Sequence, residues 1–365
     1  MLKTGVAAAI WSTCSSALAA AETGTAIPSD WMIVDGTNNV AFNADTIADL
    51  KRAGVCGLNY NQVGLTSDAL RYETITLEAI DSFPNDLVLA RTVADFHVAK
   101  KPGKIATVIG WQSADPVAGE PGYNNPWMTN PPHSELRAHY ELGLRICGIS
   151  FNTPNLFGGG CLAPRTPLSR YGRLLIEQLH KLRILVDTCH AGEQTALDAA
   201  AISNGVPVIC SHTGVASLND NPRNISDRVI DAIANTGGVI GVFALNDGFA
   251  RSRKDAAIVT TPIVGVDAMA TQCDYIRTRV GIDHVGLGTD FSQGDDMYVD
   301  PSHSELTPPE MASKQGPLNY VRGFSRITDL PNLVAALKRK GWPDADVRKF
   351  LGENWLRVYG QAWGA

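Results

Sequence analysis

The chain has 365 residues, 44% of them hydrophobic and 19% charged, with a formal net charge of -6. That length and apolar content support one large α/β unit with a substantial core. A negative balance with no block of Lys and Arg excludes a nucleic-acid-binding surface and a basic membrane-surface helix, both of which need clustered cations.

In chain order, residues 1–21 carry the pattern of a signal peptide. Lys3 gives a positive start, Val6 to Trp11 and Ser16 to Ala21 are apolar or small, and Ala17-Leu18-Ala19 fits a small-residue cleavage site. Ser12-Thr13-Cys14-Ser15-Ser16 interrupts the run, and a plain N-terminal extension is the competing reading. The expectation is an exported protein, periplasmic or secreted, with residues 22–365 as a single domain. No later stretch has the roughly 20 consecutive apolar residues of a transmembrane helix.

Eight short apolar runs follow: Ile33-Val34, Val55 to Leu58, Ala106 to Ile109, Ile146 to Ile149, Ile184 to Val186, Pro207 to Cys210, Gly238 to Phe243 and Val285 to Leu287. Such runs are typical of parallel strands buried on both faces. Between them lie helix patterns such as Arg173 to Leu182 and Ile225 to Ala234, the latter with Ser226 as a cap candidate. Eight strand–helix units predict a closed (β/α)8 TIM-like barrel. The alternative, a doubly wound open sheet, finds no G-x-G-x-x-G turn opening a helix. Asn124 to Pro132 and Asp295 to Gly316 read as loops over the carboxyl ends of the strands. Cys56, Cys147, Cys189 and Cys210 read as small buried hydrophobes, whereas Cys161, in a Gly-rich loop, is freer to react or pair.

Chemistry in a barrel sits just beyond the strands. Asp35-Gly36-Thr37-Asn38-Asn39 follows the first run, Gln112 the third, Asp187-Thr188-Cys189-His190 the fifth, Ser211-His212-Thr213 the sixth, and Thr289-Asp290-Phe291 the eighth. Two imidazoles from adjacent strands can share one divalent cation, and a nearby acid can hold or deprotonate a bound water. Ordinary hydrogen-bonded polar groups at the barrel mouth are the competing reading. Cys189 offers a thiolate beside His190, but strand alternation would turn it away.

These segments resemble the membrane (renal-type) dipeptidase family, a metallopeptidase branch of the amidohydrolase barrels. The resemblance is carried by Val186-Asp187-Thr188-Cys189-His190, Val206 to Thr213, Pro222-Arg223-Asn224-Ile225-Ser226-Asp227, Gly237 to Val242, Val285 to Phe291 and the tail Leu351 to Val358. It implies a binuclear zinc site in which His190 and His212 bind one metal. It also implies that Arg223 grips a substrate's terminal carboxylate, for which a guanidinium fork is suited. An exposed ion pair with Asp227 is the competing role for Arg223. Asp290 matches the acid that handles the attacking water and the leaving amine, and Asn152 falls among the substrate-binding positions. Members of the family are often dimers, so a homodimer is an open expectation.

The departures are concentrated. Where the family has D-G-H-x-D this chain has Thr37 and Asn39, so both ligands of the other zinc are replaced. The bridging Glu falls at Gln112, a weak ligand at most, and a substrate-polarising His falls at Ile149. A family Tyr falls near Leu245. Asn and Gln in place of Asp and Glu remove two negative charges at nearly constant shape, and Thr cannot replace imidazole as a zinc ligand. The expectation is therefore at most one zinc per chain, or none. The function that follows is a dipeptidase-like metallohydrolase acting on dipeptides or N-acyl amino acids with a free carboxylate. The alternative is a non-hydrolytic relative that binds or matures an exported, siderophore-type peptide natural product.

Overall fold

The structure, a computed structural model, describes residues 26–62, 69–118, 135–250, 262–292 and 320–364. Residues 1–21 and the loops Asn124 to Pro132 and Asp295 to Gly316 lie outside the described residues. Nine parallel strands are present there: β1 Ile33–Asp35, β2 Val55–Gln62, β3 Leu87–Leu89, β4 Ile105–Trp111, β5 Leu144–Gly148, β6 Leu185–Asp187, β7 Val208–Thr213, β8 Ile240–Val242 and β9 Val285–Leu287. Eight of them pair in the order β1-β2-β4-β5-β6-β7-β8-β9. These eight coincide with the eight apolar runs. The extra strand, β3, pairs only with the first half of β4, Leu87 against Ile105 and Leu89 against Thr107. It lies beside the barrel rather than in its wall.

The wall closes between β1 and β9. Gly36 N donates to Leu287 O at 2.8 Å and Asp290 N to Thr37 O at 2.9 Å. Asp35, fully buried, clasps the seam: its carboxylate accepts Thr289 N at 2.8 Å, Thr289 Oγ1 at 2.6 Å and Asn38 Nδ2 at 2.9 Å. Burial pushes this carboxyl up to about 6, although the hydrogen bonds work in the opposite direction.

The helices form because their apolar positions recur at three- and four-residue spacing. Arg170–Leu182 buries Leu175, Ile176 and Leu179, is capped by Ser169 Oγ on Gly172 N, and ends on Arg183 in the left-handed conformation. Asp227–Asn235 buries Val229, Ile230 and Ile233. Ser226 occupies its cap position, but its hydroxyl donates to Glu193 Oε1 at 2.9 Å instead of capping. The C-terminal helix Asn354–Trp363 seals the barrel floor. Trp355 Nε1 donates to Leu287 O at 2.8 Å, and its ring lies so close that a Cβ on Gly36 would stand 2.3 Å from it. Among the described residues no helix is long and apolar enough to cross a membrane.

Candidate functional site

The site lies beyond β6, β7 and β9. His212 belongs to β7, whereas His190 sits in a turn after β6 that is held by Cys189 N on Asp187 Oδ1 at 2.9 Å and Ala191 N on Thr188 O. His190 has φ +61 and Asp290 has φ +57. The other non-glycine residues with positive φ among those described, Arg183 and Asn204, are at a helix end and in a turn. Left-handed backbone at an L-residue costs on the order of 1 kcal/mol or more, and here it aims two side chains at one point.

That turn also corrects the expectation for Cys189. Strand alternation does not apply past Asp187, and Sγ comes within 4.8 Å of the imidazole nitrogens. The thiol nevertheless stays protonated, because burial first and the Asp187 charge second push it well above its usual range. Cys161 is likewise buried, its thiol donating to Asn152 Oδ1 at 3.2 Å.

The two imidazoles meet edge to face, Nε2 to Nε2 at 3.0 Å. His190 Nδ1 donates to Asn152 Oδ1 at 2.8 Å. His212 Nδ1 stands 3.1 Å from Thr37 Oγ1, which also lies 2.7 Å from Gly36 O. Ser211 Oγ lies 2.9 Å from the same nitrogen. His212 Nδ1 thus has two hydroxyl partners, and its tautomer decides whether the 3.0 Å contact between the two Nε2 atoms is a hydrogen bond to His190. Burial first, and the nearby Arg223 charge second, hold both rings well below their usual pKa, so both are neutral at neutral pH. Phe151 stacks on His190 at 4.0 Å between centroids.

Arg223 turns inward. Nη2 is 3.2 Å from His190 Nε2, and the guanidinium lies 6.0 Å from the Phe243 ring centre. The competing partner, Asp227, is taken by Arg279 at 3.1 Å and by Tyr275 and Ser217. Asp290 Oδ2 stands 4.0 Å from His212 Nε2, and its Oδ1 is 3.4 Å from Asn39 Nδ2. Burial is the largest cause raising this carboxyl to about 7, with Arg223 lowering it and Asp35 raising it further.

The positions that depart from the family pattern are engaged with protein groups. Thr37 is a hydrogen-bond partner of His212. Asn39 Oδ1 accepts from Asn61 N at 3.2 Å, and Gln112 Nε2 donates to Asn61 O at 2.9 Å. Ile149 is fully buried in an apolar cluster with Trp111, Cys147 and Phe157. Tyr320, which the sequence reading did not single out, is bridged to Leu245, the position near which the family Tyr falls. Its hydroxyl accepts from Ser292 N at 3.0 Å and donates to Asp290 O at 3.4 Å. Nothing local in sequence signals it, since 75 residues separate the partners by number.

The donor set fits a single cation. The two Nε2 atoms, 3.0 Å apart, can both reach one zinc ion at about 2.0–2.1 Å, and Asp290 is the carboxylate nearest them in this group. Thr37, Asn39 and Gln112 offer a second ion no charged ligand, and Asn39 Oδ1 and Gln112 Nε2 are engaged with Asn61.

A family model for membrane dipeptidase (peptidase family M19) matches residues 59–307 and 313–363. The chain belongs to the membrane dipeptidase family. It is a dipeptidase-like member of this metallohydrolase family, on the expected barrel. An amidohydrolase from Pseudomonas aeruginosa of known crystal structure is 26% identical, with a TM-score of 0.78 over 92% of this chain and 98% of that one. Dipeptidase ataJ of Aspergillus terreus is 30% identical over 77% of this chain and 64% of its own length. Dipeptidase verJ of Clonostachys rogersoniana is 27% identical over 76% of this chain and 61% of its own length. The chain thus spans less than two thirds of the length of these two dipeptidases.

Proposed function

We propose that the protein is a one-metal hydrolase of dipeptides or N-acyl amino acids that carry a free carboxylate. The observation that carries this reading is the convergence of His190 Nε2 and His212 Nε2, 3.0 Å apart, with Asp290 and Arg223 beside them. His190 and His212 would hold the ion, with Asp290 as the third ligand or its close neighbour. A bound zinc supplies a water of lowered pKa and a Lewis acid for the scissile carbonyl.

The chain's own groups do the rest. Arg223 takes the terminal carboxylate through two parallel N–H bonds and so sets the scissile amide over the imidazole pair. Asp290, with a pKa near 7 in the metal-free protein, is matched to accept a proton from the attacking water and return it to the leaving amine. Asn152 fixes the His190 tautomer, and Thr37 and Ser211 hold the His212 ring through Nδ1. Phe151 over His190 keeps water from that side of the ring. The test is hydrolysis by zinc-loaded protein of Ala-Ala, N-acetylalanine and the C-terminal amide Ala-Ala-NH2. Cleavage of at least one of the two acids but not of the amide is expected; no cleavage of either acid contradicts it.

A second reading, a non-hydrolytic protein that binds or matures an exported peptide natural product, is favoured by one observation. Thr37, Asn39 and Gln112 have all found partners within the protein, a settled arrangement rather than a damaged metal site. The triple variant Thr37→His, Asn39→Asp, Gln112→Glu discriminates. On this second reading it cleaves dipeptides far faster than the unmodified protein; equal rates count against it.

A further inference from the structure

We propose that Arg223 makes the cation site conditional on ligand. With no carboxylate present the guanidinium occupies the His190 lone pair, and an incoming carboxylate withdraws it and opens the site to zinc. This rests on the reading that Arg223 takes the ligand's carboxylate and that His190 and His212 hold the cation.

The chemistry is constrained by the donor inventory. A guanidinium has donors and no acceptor. At 3.2 Å from Arg223 Nη2, His190 Nε2 is therefore the acceptor. The ring's other nitrogen is already a donor to Asn152 Oδ1 at 2.8 Å, so Nε2 carries the only lone pair on that ring. Coordination to zinc needs the same lone pair. One nitrogen cannot serve both partners, so Arg223 must leave His190 before His190 binds a metal.

Charge acts in the same direction. His190 and His212 are 7% and 0% exposed, so a guanidinium in contact with His190 repels a divalent ion with little screening by water. Among the described residues Arg223 forms no ion pair within 4.0 Å, although its charge acts on Asp290. A carboxylate offers it two charge-assisted hydrogen bonds where His190 offers one neutral acceptor, and the exchange favours the carboxylate. Zinc and carboxylate ligand then bind cooperatively, and each must raise the other's affinity by the same factor. The selectivity for a free carboxylate thus reaches the metal site itself: a ligand without that group leaves the site blocked.

Calorimetric titration of the full chain with zinc tests this, alone and with saturating N-acetylglycine or its neutral amide, N-acetylglycinamide. About 10-fold tighter zinc binding is expected with the acid, within the usual range of coupling between sites, and no change with the amide. Arg223→Met is expected to bind zinc at least about 10-fold more tightly than the unmodified protein without ligand, and to gain nothing from N-acetylglycine. A gain that persists in Arg223→Met means that the carboxylate ligates zinc directly, and overturns the proposal. Equal affinities in the unmodified protein overturn it too. No zinc binding in any buffer is a different failure, that of the one-metal reading. If Arg223→Met does not fold, nitrogen-15 NMR of zinc-free protein decides. N-acetylglycine alone must shift the His190 Nε2 resonance as its donor leaves; an unmoved resonance overturns the proposal.

Discussion

His190 Nδ1 stands 2.8 Å from Asn152 Oδ1, and this contact decides which edge of the imidazole faces the site. Asn152 sits in the loop after β5, and its Oδ1 also accepts the Cys161 thiol. With Nδ1 committed as a donor, Nε2 is the acceptor that faces Arg223 and His212. A residue that sequence comparison places among substrate contacts is thus engaged in orienting His190.

Removal of that acceptor should loosen the metal. Asn152→Leu is expected to lower zinc affinity by about 10–100-fold, the usual effect of deleting a ligand's outer hydrogen bond. Asn152→Asp, which keeps the acceptor, should retain it. Competition with a chromogenic chelator measures both. Unchanged zinc affinity in Asn152→Leu would separate this contact from metal binding.

Asp290 is the proton carrier in the hydrolytic reading. Asp290→Asn keeps the shape and removes the base. A fall in kcat of about 10²–10⁴ is expected with KM little changed, since general-base catalysis contributes that much to the transition state and little to ground-state binding. A variant with undiminished kcat would remove Asp290 from the mechanism.

The Asp35 clasp gives a pH dependence with a definite sign. Its folded-state pKa is raised to about 6, above the ordinary carboxylate value of 3.8. Between these values the folded chain holds a proton that the unfolded chain has lost. Stability from this group is therefore fully present below about pH 4 and falls away as pH rises to about 6, by roughly 2–3 kcal/mol. Asp35→Asn should flatten this part of the Tm-against-pH curve, while lowering Tm at pH 4 because Thr289 N or Oγ1 loses an acceptor. An unchanged slope would assign the pH dependence to other groups.

The barrel was legible in sequence because strands buried on both faces are apolar throughout, and Val208 to Cys210 or Val285 to Leu287 announce themselves as such runs. Leu87–Leu89 was missed because it is as short as a loop segment and earns strand geometry only by pairing with β4. His190, His212 and Asp290 were readable as a group from their places after strands and Arg223 only through the family resemblance, and the structure brings the four together. Their partners were not readable. Thr37 looked like a missing ligand and is also a hydrogen-bond partner of His212, a relation across 175 residues. Ser226 has the sequence of a cap and the chemistry of a Glu193 partner, because the side chain of a neighbouring helix offers a charged acceptor. Cys189 was assigned a direction by strand alternation, which the left-handed turn at His190 cancels.

The one-metal centre is tested most directly by counting zinc. Full-length protein saturated with zinc in the presence of N-acetylglycine, then freed of excess ion by gel filtration in the same ligand, is analysed for metal per chain. One zinc per chain is expected, lost on His190→Ala or His212→Ala. Two per chain would mean that Thr37, Asn39 and Gln112 do support a second ion, and none would mean that the two Nε2 atoms serve hydrogen bonding alone; either result contradicts the one-metal site.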